Sequence, residues 1–368
     1  MNILLIGDYS MVHKNLKDGL EALGHTVVLL SDGDYWKNLP GRDMALTPEF
    51  INHGRNRLER AFENRVLKPL HFYRYYQQIF RSKEFDVVQA MSADLFFFMH
   101  RKRIYRYLLH KTKNNLFVLI PGNDCYTYEA WKQGKFKYFS FDDNPDCIHR
   151  FETGKYASME NDAYRYTVTR AKALIPVCPY EYEVPYQGFP NVRPFIQFPL
   201  KASDFKYSEN LAVNGKIVIY HGISFYDNKG SKYITEAMAE IQKKYPDKVE
   251  CVLTERIAYN EFLKKLQQCN IYVDACKTYI YGMAATIGMA MGKVILSGKA
   301  PEAVERIGRT DCPVINILPD KEQIVLELEK LVNSFDLIRQ LGEQGRQYVE
   351  DYHDYKKVAG LYIKEWKT

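Results

Sequence analysis

The chain alternates short unbroken apolar runs with longer segments in which apolar residues recur three or four positions apart. "NILLIGD" at 2–8 is a run, stopped by Gly7 and Asp8. "HKNLKDGLEALGH" at 13–25 follows, with Leu16, Leu20 and Leu23 at helical spacing and Gly24 to close the helix. "TVVLLSD" at 26–32 is the next run. Runs without polar alternation mark strands covered on both faces, as in parallel sheets. Run, helix and run together predict a β-α-β unit. "DVVQAM" at 86–91, "NLFVLIPG" at 115–122 and "KALIPVC" at 172–178 extend the same sheet.

A segment rich in proline and aromatics, "YQGFPNVRPFIQFPLKASDF", then breaks the pattern. The pattern restarts at 215 with "GKIVIYHG", a helical "SKYITEAMAEIQKKYP", "VECVLTE", a helical "YNEFLKKLQQC" and "NIYVDA". "YGMAATIGMAMG" follows as a short apolar helix, then "KVILSG", "VINIL" and two closing helices. The prediction is an α/β chain of two Rossmann-like, doubly wound domains facing a cleft. Their boundaries fall at 1–195, a linker at 196–212, 213–350, and a last helix at 351–368 that crosses back to the first domain. Ligands in such sheets bind beyond the carboxyl ends of the strands.

A length of 368 residues suits two cores. The seven cysteines are scattered, with no C-x-x-C pair, which argues against zinc or redox motifs and suits a reducing cytoplasm. The opening apolar run is too short for a signal peptide, and no window reaches the length of a membrane span. G-x-G-x-x-G, the P-loop and the G-x-S-x-G elbow are all absent, which removes the commonest dehydrogenase, kinase and hydrolase readings.

Candidate chemistry lies at strand ends. Gly282 stands where a loop becomes the "MAATIGMAMG" helix, and free N–H groups at a helix N-terminus attract anions. Asn123 and Asp124 follow the run at 115–122 and suit either sugar hydroxyls or an Asx turn. His13 opens the first helix and faces either the cleft or water. Met289 and Met291 read as core. "FDDNPD" at 141–146 reads as a solvated polar loop, and no Asp-x-Asp metal pair ends a strand.

Four stretches in order carry a family resemblance. "SMVHKNLKDGLEALGHTVVLLS", "HGISFYDNKGSKYITEAM", "YGMAATIGMAMGKVI" and "IRQLGEQGRQYVEDYHDYKKVAGLY" resemble the GT-B glycosyltransferases, nearest to the retaining family 4 that uses nucleotide-sugar donors. The resemblance implies transfer of a sugar, with retention, to a glycan or lipid-linked acceptor in surface polysaccharide assembly. It implies no metal and no other cofactor. Cations and N–H donors would hold the leaving diphosphate instead. The residues implied there are Gly222, Ser224, Lys229 and Gly230 of the second loop, with Gly282, Met283 and Ala284. His13, Asn123 and Asp124 would be catalytic. Tyr279, Tyr281 and Ile287 would lie near the donor sugar and ribose.

The family has a Glu at each of the positions held here by Tyr279 and Ile287, an Arg where Ser224 stands and a His where Pro121 stands. An inactive GT-B protein that binds a partner is therefore the alternative reading.

Charge adds one more expectation. The net charge is +6. Residues 53–85 carry Arg55, Arg57, Arg60, Arg65, Lys68, Arg74, Arg81 and Lys83 among aromatics, and "RKRIYRYLLHKTK" at 101–113 is basic with no acid. Basic aromatic helices suit either a solvated face or an anionic membrane surface, so the protein is expected in the cytoplasm or on the inner face of the membrane. No nucleic-acid motif accompanies them.

Overall fold

The computed structural model describes residues 1–34, 37–48, 56–96, 101–152, 154–212, 215–223 and 229–368. Strands β1 (Asn2–Ile6), β2 (Thr26–Ser31), β3 (Met44–Ala45), β4 (Val87–Ala90), β5 (Leu116–Ile120) and β6 (Ala173–Pro176) form one sheet, in the order β3-β2-β1-β4-β5-β6. Strands β7 (Ile217–Ile223), β8 (Val249–Glu255), β9 (Ile271–Val273), β10 (Val294–Ser297) and β11 (Ile315–Asn316) form a second, in the order β11-β10-β9-β7-β8. All pairings within both sheets are parallel. Each apolar run of the sequence is a strand, and β4, β5, β6, β9 and β10 are buried throughout. Strand β3 is the exception. It has only two residues, too few to carry a pattern, and the hydroxyls of Tyr75 and Tyr76 fix its end by donating to the carbonyls of Ala45 (2.7 Å) and Leu46 (3.0 Å).

Helix α1 (Val12–Ala22) buries Leu16 and Leu20 against the first sheet. Helix α14 (Tyr355–Lys367) lies on α1. The two touch at Gly19, where a Cβ would come within 2.2 Å of the Tyr355 carbonyl oxygen. Trp366 completes the return by donating its indole N–H to Gln89 Oε1 (3.0 Å) on β4. Where the chain passes between the halves, its two strands of traffic run side by side. The Leu200 N–H donates to the His353 carbonyl (2.7 Å), and Gln197 Nε2 donates to the Tyr352 carbonyl (3.0 Å).

The apolar core of the first sheet continues through Tyr279, Tyr281 and Met283 into helix α10 (Met283–Ala290) of the second half, where Met289 and Met291 are buried. A second cluster covers the other face of the second sheet beneath helices α8 (Ser231–Lys244) and α12 (Lys321–Val332).

The basic run at 101–113 is helix α4 (Arg101–Lys111), and two of its cations are paired while Arg103, Arg106 and Lys111 stand exposed. Arg101 is buried, donates from Nε to the Phe96 carbonyl (2.7 Å) and faces Glu160 at 3.6 Å. Lys102 pairs with Asp162 (2.7 Å). Both acids come from helix α7 (Gly154–Val168), packed against α4.

Candidate active site

In a doubly wound sheet the natural binding point lies where strand order reverses. That point is between β1 and β4 in the first sheet and between β7 and β9 in the second. A cavity of about 320 Å3 opens between the two halves. The second half lines it with Gly222 and Ile223 at the end of β7, Thr254 and Arg256 at the end of β8, and Asp274 after β9. Gly282, Met283, Ala284 and Ile287 at the start of α10 complete that side. The first half contributes Ser10 after β1, Lys37 and Leu39 after β2, and Glu181 and Tyr182 after β6.

Lys229 lines this cavity and is anchored by its own half. Its Nζ donates to Asp274 Oδ1 at 2.7 Å. Burial alone would raise the Asp274 carboxyl, but the Lys229 ammonium and its hydrogen bonds outweigh that and hold it below its usual range. His221 stands behind the pair. Its Nδ1 meets the Val273 carbonyl (2.7 Å) and its Nε2 meets Ser231 Oγ (2.9 Å). Burial, and then the charge of Lys229, lower it to about 4, so the imidazole is neutral. Gly230, the N-cap of α8, has φ 72°, and a Cβ there would come within 2.4 Å of Cys276 Sγ. The turn that delivers Lys229 thus requires glycine.

Gly282 caps α10 with extended backbone (φ −104°, ψ −171°) and no side-chain capping bond. Among the described residues, no atom beyond its chain neighbours lies within 4 Å of where its Cβ would be. Gly282, Met283 and Ala284 line the cavity, so the start of α10 faces it, and the helix dipole adds positive potential there. Aromatic side chains form another wall. Tyr220, Phe262 and Tyr272 pack on one another, with ring centroids 5.5–6.2 Å apart, and all three line the cavity.

No family model matches the sequence, and no curated protein matches it. Solved structures do match in three dimensions. HepE from Anabaena, in complex with UDP and glucose, superposes with a TM-score of 0.62 at 11% identity, covering 99% of this chain and 98% of that one. WaaG, a glycosyltransferase involved in lipopolysaccharide biosynthesis, gives a TM-score of 0.60 at 13% identity over 98% and 99% of the two chains. The chain has the GT-B fold. Similar too is the UDP-GlcNAc 2-epimerase of Neisseria meningitidis bound to UDP-GlcNAc, with a TM-score of 0.53 at 11% identity over 99% of each chain. A GT-B fold alone therefore does not fix the reaction.

Within this GT-B cleft the candidate residues divide. Gly222, Lys229, Gly282, Met283, Ala284 and Ile287 line one cavity. Gly230 sits behind it, as the glycine that turns the chain. Ser224 lies outside the described residues.

The remaining candidates are elsewhere. His13 is wholly buried, its Nδ1 on the Gly7 carbonyl (2.6 Å) and its Nε2 on Gln89 Nε2 (3.1 Å), and burial lowers it to about 4. It ties α1 to β4 and, through Gln89, to Trp366. Asp124 caps helix α5 (Cys125–Lys132) by accepting from the N–H groups of Tyr126 and Thr127 at 2.9 Å each. Asn123 turns the chain ahead of it at φ 55° and accepts from Ser140 Oγ (3.1 Å). Neither lines the cavity, and the Asx-type reading describes both.

Tyr279 and Tyr281 are buried away from the cavity as well. Tyr279 is clasped by the first half. Its ring lies 4.8 Å from Tyr138 and 4.7 Å from Tyr180, and its hydroxyl accepts from the Lys137 N–H (2.7 Å). The hydroxyl of Tyr281 sits between His353 Nε2 (2.9 Å) and Tyr348 Oη (3.1 Å), beside the chain crossing. The loop at 141–146 is not simply solvated. Asp143 pairs with the buried Lys277 of the other half.

Sequence reasoning missed several cavity residues, among them Asp274, the three aromatic rings and Glu181. Glu181 is the carboxylate that comes from the first half. It accepts from the Tyr279 N–H (2.8 Å) and from Thr278 Oγ1 (3.0 Å), and burial raises its carboxyl to about 7 despite those bonds. The signal available was a Glu just beyond the strand run at 172–178, in a position to be tested like any other strand-end carboxylate.

Proposed function

We propose that the protein is a glycosyltransferase that moves a sugar from a nucleotide-sugar donor to a glycan or lipid-linked acceptor, with retention, in surface polysaccharide assembly. The observation that carries this reading is the meeting of Lys229 and the uncapped N-terminus of α10 in one cavity of a GT-B cleft. Departure of the donor diphosphate builds negative charge on phosphate oxygens. A fixed ammonium and oriented N–H groups stabilise that charge before the bond breaks. No metal ion is called on in this scheme. The aromatic wall of Tyr220, Phe262 and Tyr272 suits the nucleoside. Glu181 supplies a carboxylate from the first half beside the Tyr279 backbone, where the family pattern has its own Glu. In this reading it accepts hydroxyl hydrogen bonds from the sugar. HepE binds UDP and glucose, and WaaG is a glycosyltransferase, which supports the donor class.

Two observations favour an inactive binding protein instead. Tyr279, where the family has a Glu, packs between the halves away from the cavity, and Ile287 gives the ribose side an apolar surface. A thermal-shift series with UDP, ADP and GDP, followed by release of free sugar from the matching nucleotide-sugars, separates the readings. A transferase raises its melting temperature with one nucleoside diphosphate and slowly hydrolyses one donor. Binding without hydrolysis supports the inactive reading. No shift with any of these nucleotides, and no hydrolysis, removes the transferase reading and favours the inactive partner-binding one.

A further inference from the structure

Helix α2 (Arg57–Phe62), a π turn at Glu63–Leu67 and helix α3 (Lys68–Ser82) form one continuous rod on the first half. Its C-terminal part buries Phe72, Tyr76 and Ile79 in the core. Its N-terminal part and the π turn bury nothing. Leu58 (82% exposed), Phe62 (55%), Val66 (45%), Leu70 (45%) and Tyr73 (39%) all stand in solvent. In a pure α-helix, residues four apart drift round the axis by about 40° each step. The π turn holds more residues per turn and reduces that drift between Phe62 and Val66. Leu58, Phe62, Val66 and Leu70 recur every fourth residue, an exposed apolar stripe that winds gradually round the rod, with Leu67 (39%) exposed beside it. The same rod carries Arg57, Arg60, Arg65, Lys68, Arg74 and Arg81 against only Glu59 and Glu63.

We propose that this stripe docks the protein on an anionic lipid bilayer. Single exposed apolar residues are ordinary, but a contiguous line of them marks an interaction site. Nucleic acid would use the arginines and leave the leucines unexplained. A helix with an apolar side and an excess of cations is the chemistry of an interfacial membrane helix, seated among acyl chains with arginines at anionic headgroups. The placement fits an acceptor carried on lipid, a link that rests on the transferase reading. Tyr75 and Tyr76 of α3 hold the carbonyls of Ala45 and Leu46, at the end of the segment whose Lys37 and Leu39 line the cavity.

Flotation of the full chain with vesicles tests the docking. Vesicles of phosphatidylglycerol and phosphatidylcholine in equal parts should carry the protein, phosphatidylcholine alone should carry much less, and added salt should release it. The triple variant Leu58→Gln, Phe62→Gln, Leu70→Gln should lose roughly tenfold or more of its partitioning. The pair Arg60→Gln, Arg74→Gln should lose several-fold at low salt. Melting temperature and the shift given by UDP, read on the same samples, show that each variant is folded. They also report the nucleotide site separately from the docking. The proposal is overturned if the parent ignores the mixed vesicles or if the triple variant floats like the parent. It is equally overturned if sedimentation shows the parent to be a dimer that the triple variant dissolves.

Discussion

The two halves put polar residues at the carboxyl ends of their strands and use them in opposite ways. After β5, Asp124 gives one carboxylate oxygen to the first N–H groups of α5, and burial beside Tyr164 and Tyr186 raises its carboxyl. His13 is sealed in the same half. After β7 and β9, by contrast, Lys229 and the start of α10 front an open cavity. The sequence pattern is the same in both places, a polar residue just beyond an apolar run. What separates a cap from a site is the chain that packs over it. Aromatic side chains close over the end of β5 in the first half, whereas among the described residues none closes over Lys229 and the start of α10.

The largest effect expected from breaking this contrast is at the clasp. Tyr279→Ala removes a buried ring from between the halves and should cost about 3–5 kcal/mol of stability, measured by urea unfolding. A loss below 1 kcal/mol would mean that the halves do not depend on it.

Next comes the site itself. Lys229→Ala should weaken nucleoside diphosphate binding by roughly 1.5–3 kcal/mol, tenfold or more, with nucleoside binding little changed. His13→Gln should leave both affinities alone. Calorimetry that ranked His13 above Lys229 would reverse the assignment of the two halves.

A third test uses pH. Glu181 and Asp8 have carboxyls raised to about 7 by burial, so the stability they contribute is full below their unfolded pKa and is lost as pH climbs to about 7. His13, His221 and His353 are lowered to about 4, again by burial. Their contribution is full above about 6.5 and is lost as pH falls toward 4. The two sets oppose each other between about pH 5 and 6.5. Glu181→Gln removes one opposing group. Its stability should rise with pH more steeply than the parent's by about 1.4 kcal/mol per pH unit. Parallel curves would show that Glu181 titrates as it does in water.

The smallest effect on stability should come at Gly282. Its backbone is extended and no atom of the described residues crowds its Cβ position, so Gly282→Val should fold within about 0.5 kcal/mol of the parent. It should nonetheless lose nucleoside diphosphate affinity, because the new side chain would stand over the α10 N–H groups. Unchanged affinity would move the anion site elsewhere.

These expectations show how far the sequence could be read. Every strand longer than two residues was legible, because strands buried on both faces must be apolar without interruption. The switch-point cavity followed from strand order and helix termini, and so Lys229 and Gly282 were within reach. Tyr279 was not. Its place between Tyr138 and Tyr180 depends on a contact between segments about 100 residues or more apart in the chain, which no local pattern records. The partners of Arg101 and Lys277 were hidden in the same way, since Glu160 and Asp143 come from other elements. Glu181 looked like any surface acid until the second half covered it.

The return of α14 onto α1 has a consequence for synthesis. At about 5–20 residues per second, a ribosome finishes β6 roughly ten to forty seconds before it finishes α14. Throughout that interval the first half is made but lacks its last helix, and the groove at Gly19 and the acceptor on Gln89 stand open. The second half must grow out of an incomplete partner. The nascent chain therefore presents an apolar surface to chaperones for longer than a protein of two self-contained halves would, and its first half is sealed only by residues translated after the whole of the second.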